Sequence, residues 1–160
     1  MATKPEPVNI RVERIIDAEP DVIYDLVSDI TRMGEWSPET VEAEWLGGAT
    51  GPAVGATFKG KNKLGASSWA TKPTVTEADP GRTFAFKVPG KSGPTWRYHL
   101  ERTDQGTRVT EEVIQDRRSP LFIRLLQKRA GVTNRESNLR QGMTITLDRL
   151  ARAASVSANA

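Results

Sequence analysis

The chain contains no cysteine, and this absence excludes disulfide bonds, thiolate catalysis and zinc fingers. It contains a single histidine, His99, so hydrolytic triads and histidine-rich metal sites are excluded as well. No run of eighteen apolar residues occurs, and residues 1–8 lack the apolar segment of a signal peptide. We therefore expect no membrane span, no secretion and a cytoplasmic location.

The composition fits one globular domain, because 160 residues that are 37% hydrophobic and 27% charged can bury a sizeable core. We assign the domain to residues 1–154 and expect residues 155–160 to form a disordered tail. The net charge of +3 is unevenly distributed, because residues 1–116 hold fourteen Lys/Arg against eighteen acids, whereas residues 117–152 hold nine against two. These basic residues scatter around a predicted helix without forming one stripe, so we expect no nucleic-acid partner. Contact of this helix with a protein partner or an anionic membrane stays open.

Periodicity predicts the order of the elements. "VNIRVERII" (8–16) alternates like a strand, and "DVIYDLVSDI" (21–30) has helical spacing, with a further short helical turn through Glu35. Alternating segments then predict six more strands up to about residue 117, with 67–77 counted as one strand. Ser119 and Pro120 are a helix start signal, and Gly131 divides the last region into a short helix and a long helix near 133–153.

Strand parity gives the predicted sheet one wet face and one apolar face. The apolar face collects Ile10, Val12, Val41, Ala43, Trp45, Phe58, Trp69, Val75, Phe84, Phe86, Val88, Trp96, Tyr98, Leu100, Val109 and Val113. The apolar stripe of the last helix, formed by Leu139, Met143, Leu147 and Leu150, is the element that can cover this face. A face so rich in wide rings is either a packed core or the wall of a cavity, and the residues alone leave both open.

Three segments carry a family resemblance: "VSDITRMGEWSPE", "GPAVGATFKGKN" and "GTRVTEE". Over about residues 8–152 the chain resembles the START-like (SRPBCC) superfamily, which includes polyketide cyclases/dehydrases and lipid-transfer proteins, in a form common in actinobacteria. The resemblance implies an α+β helix-grip fold, in which a curved, seven-stranded antiparallel sheet wraps a long C-terminal helix around an apolar cavity, with short helices after strand 1. It also implies that Met33 and Trp36 lie at the cavity mouth as a lid.

Two features imitate catalytic or cofactor sites. "GATFKGKN" (55–62) has the glycine and lysine spacing of a phosphate-binding loop, but Asn62 replaces the Ser/Thr that would bind magnesium and the segment alternates like a strand. We therefore expect no nucleotide and no other cofactor. The parity of His99 places it on the wet face, which predicts a surface histidine rather than a general base.

Glu111 is the carboxylate of most interest, since it shares the inward parity of Val109 and Val113, where an unpaired charge is costly. Arg14 also has inward parity, and the resemblance makes the first and last strands neighbours. The leading interpretation is therefore a buried Arg14–Glu111 ion pair, with a ligand-binding or catalytic Glu111 as alternatives. If a bulge shifts the register by one residue, Glu112 takes this place.

Two function classes remain. The first is a binding or carrier protein for a small hydrophobic molecule of lipid, polyketide or isoprenoid type. The alternative is a cyclase- or dehydratase-type enzyme without metal or nucleotide, in which Glu111 or Tyr98 moves protons. Few titratable side chains point inward, which favours the carrier over the enzyme. We expect the protein to be a monomer or a homodimer. The expected ligand contacts are Met33, Trp36, Phe58, Trp69, Phe84, Phe86, Trp96, Tyr98, Glu111, Leu139 and Met143.

Overall fold

A computed structural model describes residues 8–115, Leu125 and residues 135–158 of the chain. The elements in these ranges are β1 (Val8–Ile16), α1 (Pro20–Ser28), a 3₁₀ turn (Ile30–Arg32), α2 (Met33–Trp36), β2 (Thr40–Trp45), β3 (Phe58–Leu64), β4 (Ser67–Thr71), β5 (Thr74–Asp79), β6 (Thr83–Lys87), β7 (Thr95–Thr103), β8 (Gly106–Gln115) and α3 (Arg135–Ala158). The predicted short helix between 119 and 131 lies outside the described residues, apart from Leu125, which is helical and exposed.

The strands form two antiparallel sheets. One has five strands in the order β1-β8-β7-β6-β5, and the other has three in the order β2-β3-β4. Backbone hydrogen bonds join the sheets where the segment before β3 runs beside β5: Gly55 N donates to Val75 O at 2.8 Å, and Val75 N donates to Ala56 O at 2.8 Å. The two sheets therefore meet along β3 and β5, and the predicted α+β class is confirmed.

The described residues contain eight strands rather than the seven that we predicted, because residues 67–77 divide at Lys72 and Pro73. Proline has no N–H to donate to a strand ladder, so the strand is interrupted there. The first part, β4, pairs with β3, whereas the second part, β5, pairs with β6. The chain passes from one sheet to the other at this proline.

Two residues predicted for the apolar face are exposed instead. Val41 is 58% exposed, because the β2–β3 register shifts between Thr40 and Glu42 and leaves Val41 at a bulge. Trp69 is 39% exposed, since β4 is an outer strand of its sheet and none of its residues is buried. Both predictions failed because parity assumes regular strands that are covered along their whole length.

The helices follow the sequence patterns. In α1, Pro20 occupies the first turn and Asp21 adds a negative charge there, while Ile23, Leu26 and Val27 are buried. In α3 the predicted stripe is confirmed, because Leu139, Met143, Leu147 and Leu150 are all buried. In the described residues this helix extends to Ala158, past the assigned domain boundary at residue 154; the disordered tail stays a prediction. None of the described helices is long and apolar enough to cross a bilayer.

The buried apolar residues form two clusters. The main cluster unites both sheets and the helices, with members such as Ile23, Trp36, Phe58, Phe84 and Leu147. The second, smaller cluster consists of Ile10, Val113, Leu139 and Met143. Val12 and Trp96 pack against both clusters. The region around these two half-buried side chains is thus the boundary inside the core.

Candidate ligand-binding site

The inward face of the five-stranded sheet carries two neighbouring rows of side chains, set by the strand register. In the first row Val12 lies opposite Glu111, Glu111 lies opposite Tyr98, and Tyr98 lies opposite Phe84. In the next row the same strands place Ile10, Val113, Trp96 and Phe86 in order. A single carboxyl and a single phenol are therefore set among aliphatic and aromatic side chains.

Aromatic rings extend this face towards the three-stranded sheet. The ring centroids of Phe58 and Phe86 are 5.1 Å apart, and those of Phe84 and Phe86 are 6.0 Å apart. Trp45 meets Phe58 edge to face at 5.8 Å. Such contacts are favourable beyond the area that they bury. They form a continuous aromatic wall that runs from β2 to β6.

The two oxygens of Glu111 have unlike surroundings. The side chain is buried, with 3% of its surface exposed. Its Oε1 accepts a hydrogen bond of 3.2 Å from the Tyr98 hydroxyl. Its Oε2 is buried without a hydrogen-bond partner among the described residues. A buried polar atom without a partner is rare in folded proteins and costs free energy.

Burial determines the protonation of this pair. It raises the pKa of Glu111 to about 8, although the hydrogen bond from Tyr98 acts in the opposite direction. Burial, followed by the nearby Glu111 charge, also raises the pKa of the Tyr98 phenol well above its usual value. Removing a carboxylate from water without a cation favours its neutral form. Near neutral pH the site therefore holds a carboxylic acid next to a phenol.

The predicted Arg14–Glu111 ion pair is wrong. Arg14 lies across from Val109 in the ladder, and its exposed guanidinium donates from Nη1 to Asp148 Oδ1 on α3. A long arginine side chain can leave an apolar face to keep its charge in water. Glu112, the alternative to Glu111, points outward and accepts from Arg97 Nη1 at 3.2 Å. The β8 register is regular against both neighbouring strands, so the inward parity of Glu111 is confirmed.

The other predicted ligand contacts fall into three groups. Phe58, Phe84, Phe86 and Tyr98 belong to the main cluster, with Met33 and Trp96 packed against it. Leu139 and Met143 belong to the second cluster. Trp69 belongs to neither. The prediction omitted Val12, which lies opposite Glu111 and touches both clusters; its inward parity was visible, but its position depends on pairing between β1 and β8.

Trp36 is more deeply buried than we expected for a lid residue at a cavity mouth. Only 2% of its surface is exposed, and it is part of the main cluster. The Arg32 guanidinium lies 5.4 Å from its ring centroid, which is a cation–π contact. Met33 is half-buried against the same cluster. A role for either residue in ligand uptake stays a prediction.

Two hollows lie away from this interior. One, of about 260 Å³, is on the outward face of the five-stranded sheet and is lined by Arg11, Arg97, His99, Thr110 and Glu112. The other, of about 240 Å³, is lined by Pro38, Glu39, Leu64, Asn138, Gln141, Gly142 and Ile145. His99 is exposed, as predicted, with Nδ1 at 3.4 Å from the Thr83 hydroxyl. Neither hollow is lined by the aromatic wall.

The phosphate-loop imitation is a strand in the structure. Its second half, with Lys61, lies in β3, and Lys61 Nζ donates to Glu42 Oε2 at 3.2 Å. A phosphate-binding loop would instead link a strand to a helix N-terminus. Within the described ranges, no group of three or more His, Asp or Glu side chains is arranged to hold a metal ion.

Solved structures resemble this chain along more than nine tenths of its length. A Polyketide_cyc-like protein of Corynebacterium glutamicum, Cgl2372, is 31% identical, with 96% of this chain and 94% of that chain aligned and a TM-score of 0.61. The di-domain ARO/CYC StfQ from the steffimycin biosynthetic pathway is 15% identical, with 97% of this chain and 53% of that chain aligned and a TM-score of 0.74. The major latex-like protein 151 of Panax ginseng is 12% identical, with 92% and 97% aligned and a TM-score of 0.70. The last two likenesses concern the fold alone, and they agree with the predicted helix-grip fold.

Sequence comparison gives the family. No curated protein gives a significant match. A family model described as "Polyketide cyclase / dehydrase and lipid transport" matches residues 7–155, which is nearly the whole chain. The resemblance in the three segments quoted above is confirmed by this match and by the Corynebacterium protein. The chain therefore belongs to the polyketide cyclase/dehydrase and lipid transport family of the START-like superfamily.

Proposed function

We propose that the protein binds a small hydrophobic molecule between its sheets and α3, with Tyr98 and Glu111 at the polar end of the ligand. The observation that carries this proposal is Glu111 Oε2, a buried polar atom without a partner among the described residues. A protein gains nothing in stability from a lone carboxyl on an apolar face, because an apolar side chain there would avoid the cost of desolvation. A ligand that forms a hydrogen bond with Oε2 would explain why a carboxyl is present at this position.

The surroundings of the carboxyl suit an apolar ligand. Aromatic side chains of β3, β6 and β7 lie along the same inward face, and burial against such rings supplies affinity roughly in proportion to the apolar area removed from water. A binding site of this kind needs only a few polar groups to orient its ligand. The family description, which covers both cyclases and lipid transport, is compatible with this chemistry.

The boundary between the two apolar clusters is the place where we expect the ligand to lie. Among the described hydrophobic residues, only Val12 and Trp96 pack against both clusters, and both are half-buried. Glu111 lies directly opposite Val12, and the neighbouring Val113 lies opposite Trp96. Separating two clusters along such a boundary breaks fewer contacts than opening either cluster.

The test is titration with Nile red, an uncharged dye whose emission rises in apolar surroundings. We expect saturation at one site and a change in tryptophan emission. Trp96→Phe should remove most of that change and keep binding, whereas the exposed Trp69, replaced by Phe, serves as the matched control and should leave the change intact. Phe86→Arg should abolish binding, while His99→Arg, which adds the same group to the outward face, should not.

Two results would count against a binding site in the interior. The first is dye binding no stronger than that of an ordinary globular control protein. The second is equal loss of the emission change in the Trp69 and Trp96 variants, since that would place the dye on the surface. Because Phe86→Arg can prevent folding, the pair of conservative tryptophan variants decides the question independently.

A cyclase or dehydratase activity is a second candidate, and the same pair of residues favours it. A carboxyl whose pKa lies near 8, hydrogen-bonded to a phenol, can give and take a proton near neutral pH. A linear triketone, heptane-2,4,6-trione, is a direct probe: ring closure joins a terminal methyl carbon to the distant carbonyl carbon and releases water. Faster aromatisation with wild type than with Glu111→Gln, at equal stability and equal dye binding, would establish the enzyme over the carrier.

A further inference from the structure

The hydrogen bonds of Glu111 are directional, and this directionality bears on the ligand. The Tyr98 hydroxyl donates to Oε1 at 3.2 Å, so Oε1 acts as an acceptor. Oε2, buried and without a partner in the described ranges, is the oxygen left to meet a ligand. Whether it presents a lone pair or a proton depends on the ionisation of the carboxyl.

The groups that face Glu111 favour the protonated carboxyl. From β7 the facing titratable group is Tyr98, and from β1 the residue directly opposite is the apolar Val12. The charged groups next in reach, Arg14 of β1 and Asp148 of α3, are exposed and bound to each other. From α3 the buried side chains are apolar except Thr146, whose hydroxyl donates to Gly142 O at 3.0 Å.

On the other side of the sheet, the arginines bind carboxylates other than Glu111. Arg97 and Arg11 lie on the outward face, where Arg97 binds Glu77 at 2.7 Å and Glu112 at 3.2 Å. No cation therefore contacts Glu111 in the described part of the chain. Burial raises the pKa of Glu111 to about 8, consistent with a neutral acid at pH 7. With Oε1 accepting from Tyr98, the proton resides on Oε2.

On the basis of the proposed function, we infer that Glu111 Oε2–H donates a hydrogen bond to the ligand, so that the site selects uncharged apolar molecules that carry a carbonyl oxygen and discriminates against carboxylates. A carbonyl oxygen accepts this hydrogen bond and leaves no polar atom unpaired. A carboxylate would lose its hydration in a region that offers it one neutral donor and no cation, and this loss is costly.

The experiment compares three probes with one naphthalene body: 2-acetylnaphthalene, 2-ethylnaphthalene and 2-naphthoate. Binding is followed by tryptophan emission and by calorimetry at about pH 6.5. A hydrogen bond to a buried neutral partner corresponds to roughly a tenfold difference in affinity. We expect the ketone to bind about tenfold more tightly than the hydrocarbon and the carboxylate to bind most weakly.

Variants at position 111 distinguish the contribution of the hydrogen-bond donor to ligand binding from that of the surrounding apolar side chains. Glu111→Gln keeps a neutral donor at this position, so it should keep the preference for the ketone. Glu111→Leu removes the donor and should make the ketone and the hydrocarbon bind equally. Raising the pH to about 9.5 should remove the ketone preference of wild type, because Glu111 ionises, and should leave the preference of Glu111→Gln unchanged. Circular dichroism and thermal unfolding confirm that each variant is folded.

The outcomes are distinct. Equal binding of ketone and hydrocarbon to wild type, or binding of naphthoate as tight as that of the ketone at about pH 6.5, would overturn this inference and leave the binding function standing. Failure of folded wild type to bind any of the three probes would overturn both. If Glu111→Leu does not fold, the contrast between wild type and Glu111→Gln across pH still decides the matter.

Discussion

At the scale of single residues, burial separates tryptophans that look alike in the sequence. Trp36 is 2% exposed within the main cluster, whereas Trp69 is 39% exposed on an outer strand. We expect Trp36→Ala to lower the free energy of unfolding by about 3–5 kcal/mol, because a buried ring leaves a cavity. The matched change Trp69→Ala should cost less than about 1 kcal/mol. Urea denaturation of both variants measures the difference, and a small loss at Trp36 would instead support its predicted role as a mobile lid.

Glu111 makes a second residue-scale prediction, which concerns pH. The folded state keeps the Glu111 proton up to about pH 8, while the unfolded chain releases it near 4.5. Between these values the folded state binds more protons, so the contribution of this group to stability is full below about pH 4.5 and is lost as the pH rises through 8. The slope is at most about 1.4 kcal/mol per pH unit.

Glu111→Gln cannot ionise and should lack this slope. Urea denaturation at about pH 5, 6.5 and 8 should show wild type losing stability relative to the variant as the pH rises. The comparison cancels the titration of all other groups, which both proteins share. Parallel profiles would mean that Glu111 is already ionised at low pH in the folded protein and that its neighbours stabilise the charge.

The inward direction of Glu111 could be predicted from the sequence, but its partner could not. Parity depends on two apolar neighbours in the same strand, Val109 and Val113, so it is local information. The partner depends on the register of three strands, which places Tyr98 beside Glu111. It also depends on the reach of Arg14, which extends to Asp148 on α3. Neither the register between strands nor the direction of the Arg14 side chain can be predicted from the sequence of a single segment.

At the scale of elements, the hairpin of β7 and β8 is held against the end of β1. Gly106, with φ of +121°, lies where an added Cβ would be 2.2 Å from the Ile16 carbonyl oxygen. Its neighbour Thr107 donates from Oγ1 to Ala18 O at 2.7 Å. The turn is therefore packed directly onto the chain that leaves β1.

This packing predicts unequal effects at two glycines of similar conformation. Gly90 has φ of +112° but nothing within 4 Å of an added Cβ. Both Gly→Ala changes strain the backbone, whereas Gly106→Ala must also move β1. We expect Gly106→Ala to lower the free energy of unfolding by about 1–3 kcal/mol more than Gly90→Ala, measured by urea denaturation. Equal losses of unfolding free energy in the two variants would show that the end of β1 can shift at little energetic cost.

The types of most elements could be predicted from periodicity, and the failures have local causes. β1, α1 and α3 have strong patterns and were found where we expected them. The segment 67–77 was predicted as one strand because alternation continues through Pro73, although the hydrogen-bonding partners change there. The prediction that Val41 lies on the apolar face was wrong because alternation along a strand does not reveal a one-residue bulge.

At the scale of the whole molecule, the arrangement followed from family resemblance rather than from periodicity. Local patterns do not state that β1 pairs with β8, or that the sheet divides into five and three strands. The exposed outer strand β4 shows the error that follows when strand pairing is unknown. Trp69 on this strand was assigned to the apolar face, but it is exposed. The cytoplasmic location, the monomeric or homodimeric state and a ligand of lipid, polyketide or isoprenoid type stay predictions from the sequence.

Binding and folding of the whole molecule should be linked. A ligand that binds only the folded state at one hundred times its Kd adds about 2.7 kcal/mol to the free energy of unfolding. For a chain of this length that corresponds to a rise in Tm of roughly 5–10 °C. We expect 2-acetylnaphthalene to produce such a rise in wild type, because binding in the interior is lost on unfolding.

The same ligand concentration should stabilise Glu111→Leu less. If removal of the donor weakens binding tenfold, the concentration becomes about ten times the Kd and the added stability falls to about 1.4 kcal/mol. His99→Ala, on the outward face of β7, should respond like wild type, since an exposed imidazole does not reach the interior. Thermal unfolding of the three proteins with and without the ketone measures these shifts. Equal shifts in wild type and Glu111→Leu would place the ketone away from the Tyr98–Glu111 pair, because only there does the leucine remove a hydrogen bond.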